Sequence, residues 1–78
     1  MKKKLTRKQR EKIGLEIKAW ILSKSSVSKF CRDHEFATST MDNWLAGNRS
    51  PSLGMAIRLE VISGGKLKKE TLCPQYNW

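Results

Sequence analysis

Residues 27–52 read VSKFCRDHEFATSTMDNWLAGNRSPS, and two short amphipathic patterns follow one another within this stretch. In the first, Val27, Phe30 and Cys31 recur at helical spacing behind Ser26, a good N-cap, which predicts a helix from about Val27 to His34. A turn follows at Glu35-Phe36-Ala37. The second pattern starts at Thr38 or Ser39, carries Met41, Trp44 and Leu45 inward, and stops at Gly47, a residue suited to the end of a helix. Ser50-Pro51 then reads as an N-cap followed by proline at the first position of a further helix, where the missing N–H costs nothing.

The spacing across this pair is what decides the fold. A small residue midway along the first helix, Cys31, lets the second helix cross close by. Phe36, just after the turn, plugs the junction, and Met41 and Trp44, three apart, dock the second helix. The outer face of that helix is left with Thr38, Ser39, Asp42 and Asn43. This is the arrangement of a helix-turn-helix. Short hydrogen-bonding side chains with no bulky apolar group suit a helix entering a DNA major groove about 12 Å wide.

On the N-terminal side, Thr6-Arg7-Lys8-Gln9 has the form of a capping box and opens a first helix, whose apolar stripe is Ile13, Ile17, Trp20 and Ile21. Gly14 weakens that helix by about 1 kcal/mol or lets a neighbour approach closely. On the C-terminal side a fourth helix runs to Ser63 and ends at Gly64-Gly65. It has two apolar faces, Leu53, Ala56, Ile57 and Val61 on one and Met55, Leu59 and Ile62 on the other, so it is central or covered by another chain. Leu67 and Leu72 are expected to cover the second face, with a short fifth helix at Lys68–Leu72 ended by Pro74. The chain is therefore expected to be all-α, a compact domain of four to five helices. A basic arm occupies residues 1–5, the helix-turn-helix domain 6–73 and a tail 74–78.

Sixteen Lys and Arg against seven Asp and Glu give a formal net charge of +9. Residues 1–12 hold seven of the bases and one acid, Glu11, so +6 of the +9 lies there. Such a patch fits a polyanion, nucleic acid before an anionic membrane. No apolar run approaches the roughly 20 residues that cross a bilayer. Residues 6–22 have basic and apolar sides, yet the apolar stripe is what a small core needs. Lys2–Lys4 could open a signal peptide, but no apolar segment follows, so a cytoplasmic, nucleoid-associated location is expected. Cys31 and Cys73 read as free thiols. No cofactor or metal site is expected, Cys31-x-x-His34 offering only two ligands and Cys73 a third where zinc needs four. One histidine, no nucleophile paired with a base and no glycine-rich phosphate loop speak against an enzyme.

Residues 26–74 resemble the Cro and repressor-type helix-turn-helix superfamily. They are most similar to its YdaS/Cro-like branch of phage and prophage regulators and antitoxin-like proteins. The W-L-x-G-x-R-x-P ending of the first stretch carries the resemblance, together with IRLEVISGGKLKKETLCP at 57–74, where a helix closes on Ser-Gly-Gly and a short helix ends at Cys-Pro. Two departures stand out: Glu35 occupies the turn position where such motifs place glycine, and His34 stands where an apolar residue is common. The resemblance implies that Thr38, Ser39, Asp42 and Asn43 face base edges. Asn43 suits adenine and Asp42 cytosine N4. Ser39-x-x-Asp42 equally has the form of a capping box, which would withdraw both residues from base reading.

Phosphate contacts follow from side-chain and backbone chemistry. The start of the second helix offers the N–H groups of Val27 and Ser28 with the Ser26 and Ser28 hydroxyls and Lys29 beside them. Arg49 suits bidentate contact to phosphate oxygens. Arg7, Lys8 and Arg10 are placed to face the duplex backbone, and Lys2–Lys4 to follow it as an arm. These contacts orient the protein without specifying sequence. One recognition helix reads few base pairs, so a homodimer on a pseudo-palindromic double-stranded DNA operator is expected, acting as a repressor. Candidate dimer surfaces are Met55, Leu59 and Ile62, and the tail with Tyr76 and Trp78. The alternative is an antitoxin-like protein that binds a partner toxin and autoregulates its operon. Single-stranded RNA recognition lacks exposed stacking aromatics at loop positions.

Overall fold

A computed structural model of the chain describes residues 5–76. Its helices run α1 (Arg7–Leu22), α2 (Val27–His34), α3 (Thr38–Leu45), α4 (Leu53–Ile62) and α5 (Lys69–Leu72), with no strand among the described residues. The all-α expectation holds. The Lys2–Lys4 arm and Trp78 lie outside the described residues. The radius of gyration is 11.7 Å, against about 11.5 Å for one compact domain of this length.

α1 starts as its sequence dictates. Gln9 N–H donates to Thr6 Oγ1 at 3.2 Å and Thr6 N–H donates to Gln9 Oε1 at 2.8 Å, a reciprocal capping box. Ile13, Ile17 and Ile21 fill the core, while Trp20 is half-buried and meets Phe30 edge-on with ring centroids 5.6 Å apart. α1 lies chiefly against α3. Gly14 makes this possible, because a Cβ there would overlap the Trp44 carbonyl oxygen and stand 3.1 Å from Leu45 Cα.

The turn between α2 and α3 is built in the left-handed way despite Glu35, which adopts φ 58°, ψ 38°. Phe36 N–H donates to Cys31 O at 2.9 Å, and the Phe36 ring stacks on Phe30 with centroids 5.6 Å apart. This bond and this contact close the end of α2 as a Schellman motif. α3 ends likewise at Gly47 (φ 78°) and α4 at Gly64 (φ 64°), through Asn48 N–H to Asn43 O at 3.0 Å and Gly65 N–H to Glu60 O at 2.9 Å. Three helices share one terminator, and only α2 uses a residue with a Cβ.

Several sequence expectations are corrected. α3 is preceded by Ala37 as N-cap, with no side-chain cap, so the Ser39-x-x-Asp42 box does not form. α4 is capped by Ser52, whose hydroxyl accepts from Met55 N–H at 3.5 Å, and Pro51 lies buried before the helix rather than at its first position. Leu59 is fully buried, and Met55 and Ile62 pack partly buried against the core cluster that includes Leu67 and Leu72. That face completes the monomer and is withdrawn as a dimer surface. Ile57 and Val61 remain outside, 42% and 75% exposed. α4 is thus turned so that Ala56 and Leu59 are the residues it buries, and full burial of a side chain such as Leu59 is worth about 1.5–3 kcal/mol.

Candidate nucleic-acid interface

The interface is built from α3 outward. Met41 and Trp44 are 0% and 3% exposed and anchor the inner side of the helix. At 3.6 residues per turn the opposite side carries Ser39 at its centre, with Thr38, Asp42 and Asn43 flanking it. Thr38, Ser39 and Asp42 are exposed and Asn43 is half-buried. With no capping box, the Ser39 hydroxyl and the Asp42 carboxylate make no hydrogen bond or ion pair among the described residues. Asp42 also lies near enough to α2 for its charge to act on Cys31: burial pushes the Cys31 thiol above its ordinary range, and Asp42 adds to the rise.

Arg49 is fastened to the same helix. Its N–H donates to Asn43 O at 3.2 Å, alongside the Asn48 N–H that terminates α3. Asn43 and Arg49 then line one shallow hollow with Thr40, Ser50 and Ser52, floored by Trp44 and Met55. A group suited to a base edge and a group suited to phosphate thus share one recess. Sequence reasoning missed two residues here. Thr40 borders the hollow, and Ala46 is exposed on the outward side of α3, where a small apolar group can meet a thymine methyl. Counting 3.6 residues per turn onward from Asn43 to Ala46 would have found the second.

At the start of α2, Ser26 Oγ accepts from Lys29 N–H at 3.2 Å and Ser26 O accepts from Phe30 N–H at 3.0 Å. Val27 and Ser28 N–H have no acceptor among the described residues, and the Ser28 and Lys29 side chains are exposed beside them. The positive end of the helix therefore faces solvent with a cation at hand, a favourable place for an anion. Lys29 Nζ lies 3.6 Å from Asp33, and Arg7 Nε lies 3.9 Å from Glu11, both pairs half or more exposed. Such pairs contribute little and give way readily to another anion.

The basic residues of α1 divide. Arg10 is not a solvent-facing charge: its Nε donates to Gly47 O at 2.9 Å and its Nη1 to Leu5 O at 2.8 Å. This corrects its placement on the duplex backbone, since its donors tie α1 to the end of α3. Arg7, one turn from Glu11, stands on the part of α1 that abuts Gly47, whose missing Cβ would lie 3.2 Å from Glu11 Cα. Lys8 projects from the far side of α1, about 160° around the helix from Arg10, and is not brought to the α3 face. Among the described residues no cluster of three or more His, Cys, Asp or Glu could hold a metal ion, and Cys31 and Cys73 are both buried. No helix among them is long and apolar enough to cross a membrane.

No family model matches the chain, and no solved structure matches it. The chain is similar to the regulatory protein cro of Pseudomonas phage D3, 42% identical over 40 residues, a stretch covering 51% of this chain and 55% of that protein. The chain thus spans about half the length of the curated relative it matches.

Proposed function

We propose that this chain is a sequence-specific, double-stranded DNA-binding transcriptional regulator of the phage Cro or repressor kind, in the YdaS/Cro-like branch. It binds a pseudo-palindromic operator as a homodimer and represses. The observation that carries the reading is the division of α3: Met41 and Trp44 buried on one side, Thr38, Ser39, Asp42 and Asn43 presented on the other. The similarity to a phage regulatory protein supports the same reading.

In this reading the exposed side of α3 enters the major groove. Asn43 pairs with adenine, Asp42 accepts from cytosine N4, and the Thr38 and Ser39 hydroxyls serve either partner. Arg49, the free N–H groups of Val27 and Ser28, the Ser26 and Ser28 hydroxyls and Lys29 hold phosphates on either side and set the register. Arg7 adds a contact from the first turn of α1. Lys8 is less well placed.

Selection of bound duplexes from a random DNA pool tests the proposal. A palindromic consensus is expected, bound at least about 10³-fold tighter than scrambled duplex. With roughly 6–10 phosphate contacts, log affinity falls against log salt with a slope near −0.9 per contact. Equal affinity for consensus and scrambled duplex would refute the reading. Tight capture of a companion protein, with only feeble operator binding, would favour the antitoxin-like role instead.

A further inference from the structure

Gly14 turns one side of α1 toward Trp44 and Leu45 of α3. Lys12 and Glu16, two residues before and after it, stand about 160° away around the helix. That opposite side runs beside residues 66–74 without closing on them. α1 packs on α2 and α3, and α5 packs on α4, which leaves a groove between α1 and the 66–74 segment. The groove consists of two adjoining hollows, of about 360 Å³ and 460 Å³. Ile13 and Pro74 line the first beside Lys12, and Trp20 and Leu67 line the second beside Lys66 and Lys68. Glu16 and Thr71 border both hollows and form the waist between them. Pockets of roughly 300–1,000 Å³ hold small ligands, so each hollow has room for an apolar side chain.

The charges select the occupant. Lys12, Lys66 and Lys68 are exposed, and none of them has an ion pair among the described residues. Three lysines against one glutamate leave the rim with a net charge of +2. Glu16 is half-buried, and its carboxylate accepts no hydrogen bond among the described residues. A partly buried carboxylate is stabilised by a donor brought to it. A polynucleotide threaded through the groove would bring phosphate against Glu16 at the waist instead. A peptide avoids this conflict, because its backbone N–H can meet Glu16 while its carboxylates lie at the two ends.

We infer that the groove between α1 and residues 66–74 binds an acidic segment of another protein. The segment places apolar side chains in the two hollows and a backbone N–H on the Glu16 carboxylate. Its own carboxylates meet Lys12 at one end and Lys66 and Lys68 at the other. The seven acids of this chain never stand side by side, so a second copy does not supply the segment. The groove and α3 lie on opposite sides of α1, and a segment seated here leaves α3 uncovered. The inference does not rest on the proposed DNA-binding function.

Peptide selection followed by NMR titration tests this. A displayed library of random peptides is selected on the full chain, and the enriched peptides are synthesised with analogues carrying Asn and Gln for Asp and Glu. The enriched peptides are expected to combine acids with apolar residues. Added to the isotope-labelled chain, they should shift the Trp20 indole N–H and the amides of Lys66, Leu67 and Lys68, leaving those of α3 in place. The neutral analogue, and the chain with Lys12→Glu and Lys68→Glu together, should each bind at least about tenfold more weakly. That variant, its fold verified by its own spectrum, should regain affinity for an analogue with Lys in place of the acids. Failure to enrich any acidic peptide, equal binding of the neutral analogue, or shifts confined to α3 would overturn the groove as a docking site. So would a single-stranded oligonucleotide that displaces the peptide and shifts the same signals with equal affinity. A chain that binds the peptide yet selects no duplex refutes the regulator reading alone. One that selects a duplex yet binds no acidic peptide refutes the groove alone.

Discussion

Gly14 of α1 and Trp44 of α3 meet with no side chain between their backbones, and a Cβ on Gly14 would overlap the Trp44 carbonyl oxygen. A rigid carbonyl, unlike the end of a flexible side chain, cannot step aside. Gly14→Ala would ordinarily stabilise a helix by about 1 kcal/mol, but forcing two packed helices apart costs about 1–3 kcal/mol. The net expectation is destabilisation, read as a lower urea midpoint at unchanged m-value, and, on the proposed function, weaker DNA binding because α3 is displaced. A variant as stable as the parent would show that the two helices have room to separate.

Glu35 offers the opposite case. It is the described non-glycine residue with positive φ, at a helix end built like those where Gly47 and Gly64 stand. A left-handed residue with a Cβ costs about 1–2 kcal/mol. Glu35→Gly gives back part of this by greater freedom in the unfolded chain, so a gain of about 1 kcal/mol is expected, or some 4–8 °C in melting temperature for a domain of this size. Glu35→Pro, which cannot adopt the conformation and removes the Glu35 N–H bond to Cys31 O, should unfold the domain.

In the proposed reading, Asn43 serves specificity and Arg49 affinity. The backbone carbonyl of Asn43, not its amide, holds the Asn48 and Arg49 N–H groups, so Asn43→Ala leaves the fold intact. It is expected to cost about 1–3 kcal/mol on the selected duplex and to relax preference at one base position. Arg49→Ala should weaken every duplex alike and lower the salt slope by about one contact. Gel-shift titrations on matched and single-substituted duplexes across a salt series distinguish the two patterns. Identical patterns would sink the division of roles.

The Cys31 thiol is pushed up by burial first and by Asp42 second. A group whose folded value lies above its unfolded value of about 8.5 adds stability at low pH and loses it as pH rises through the folded value. Stability should accordingly be level in this respect below about pH 8 and decline above about pH 9. Native Cys31 should resist iodoacetamide at pH 8 and react once urea unfolds the chain. Asp42→Asn, which removes the second cause, should leave the onset of the decline unchanged and make the decline smaller, ending at a lower pH.

How much of this was legible in the residues themselves depends on periodicity. The bounds of α2 and α3, the inward side of α3 and the capping box at Thr6 all followed from apolar spacing and cap chemistry, because polar and apolar residues alternate cleanly there. α4 gave no such contrast. Apolar residues surround it apart from Arg58 and Glu60, so its buried face, with Ala56 and Leu59, is set by what the rest of the fold packs against it. Its start was misplaced because Ser50, Pro51 and Ser52 offer two caps, and tertiary burial of Pro51 selects the later one. Arg10 was misread for a related reason: a long cation's direction depends on which carbonyls the fold brings near, and sequence spacing does not encode that. At the site, the exposure of Thr38, Ser39 and Asp42 followed from α3's own pattern, whereas the recess shared by Asn43 and Arg49 depends on how the 46–52 loop returns.

The Arg10 guanidinium, bonded to Gly47 O and Leu5 O at once, ties the end of α3 to α1. On the proposed function, target preference is heritable through two parts of the chain, the amino acids displayed on α3 and the scaffold that aims them. A descendant with an unaltered α3 but a different residue at position 10 or 14 would approach its operator from a changed angle. Transplanting only the displayed amino acids onto an unrelated scaffold would carry over the alphabet without the grammar.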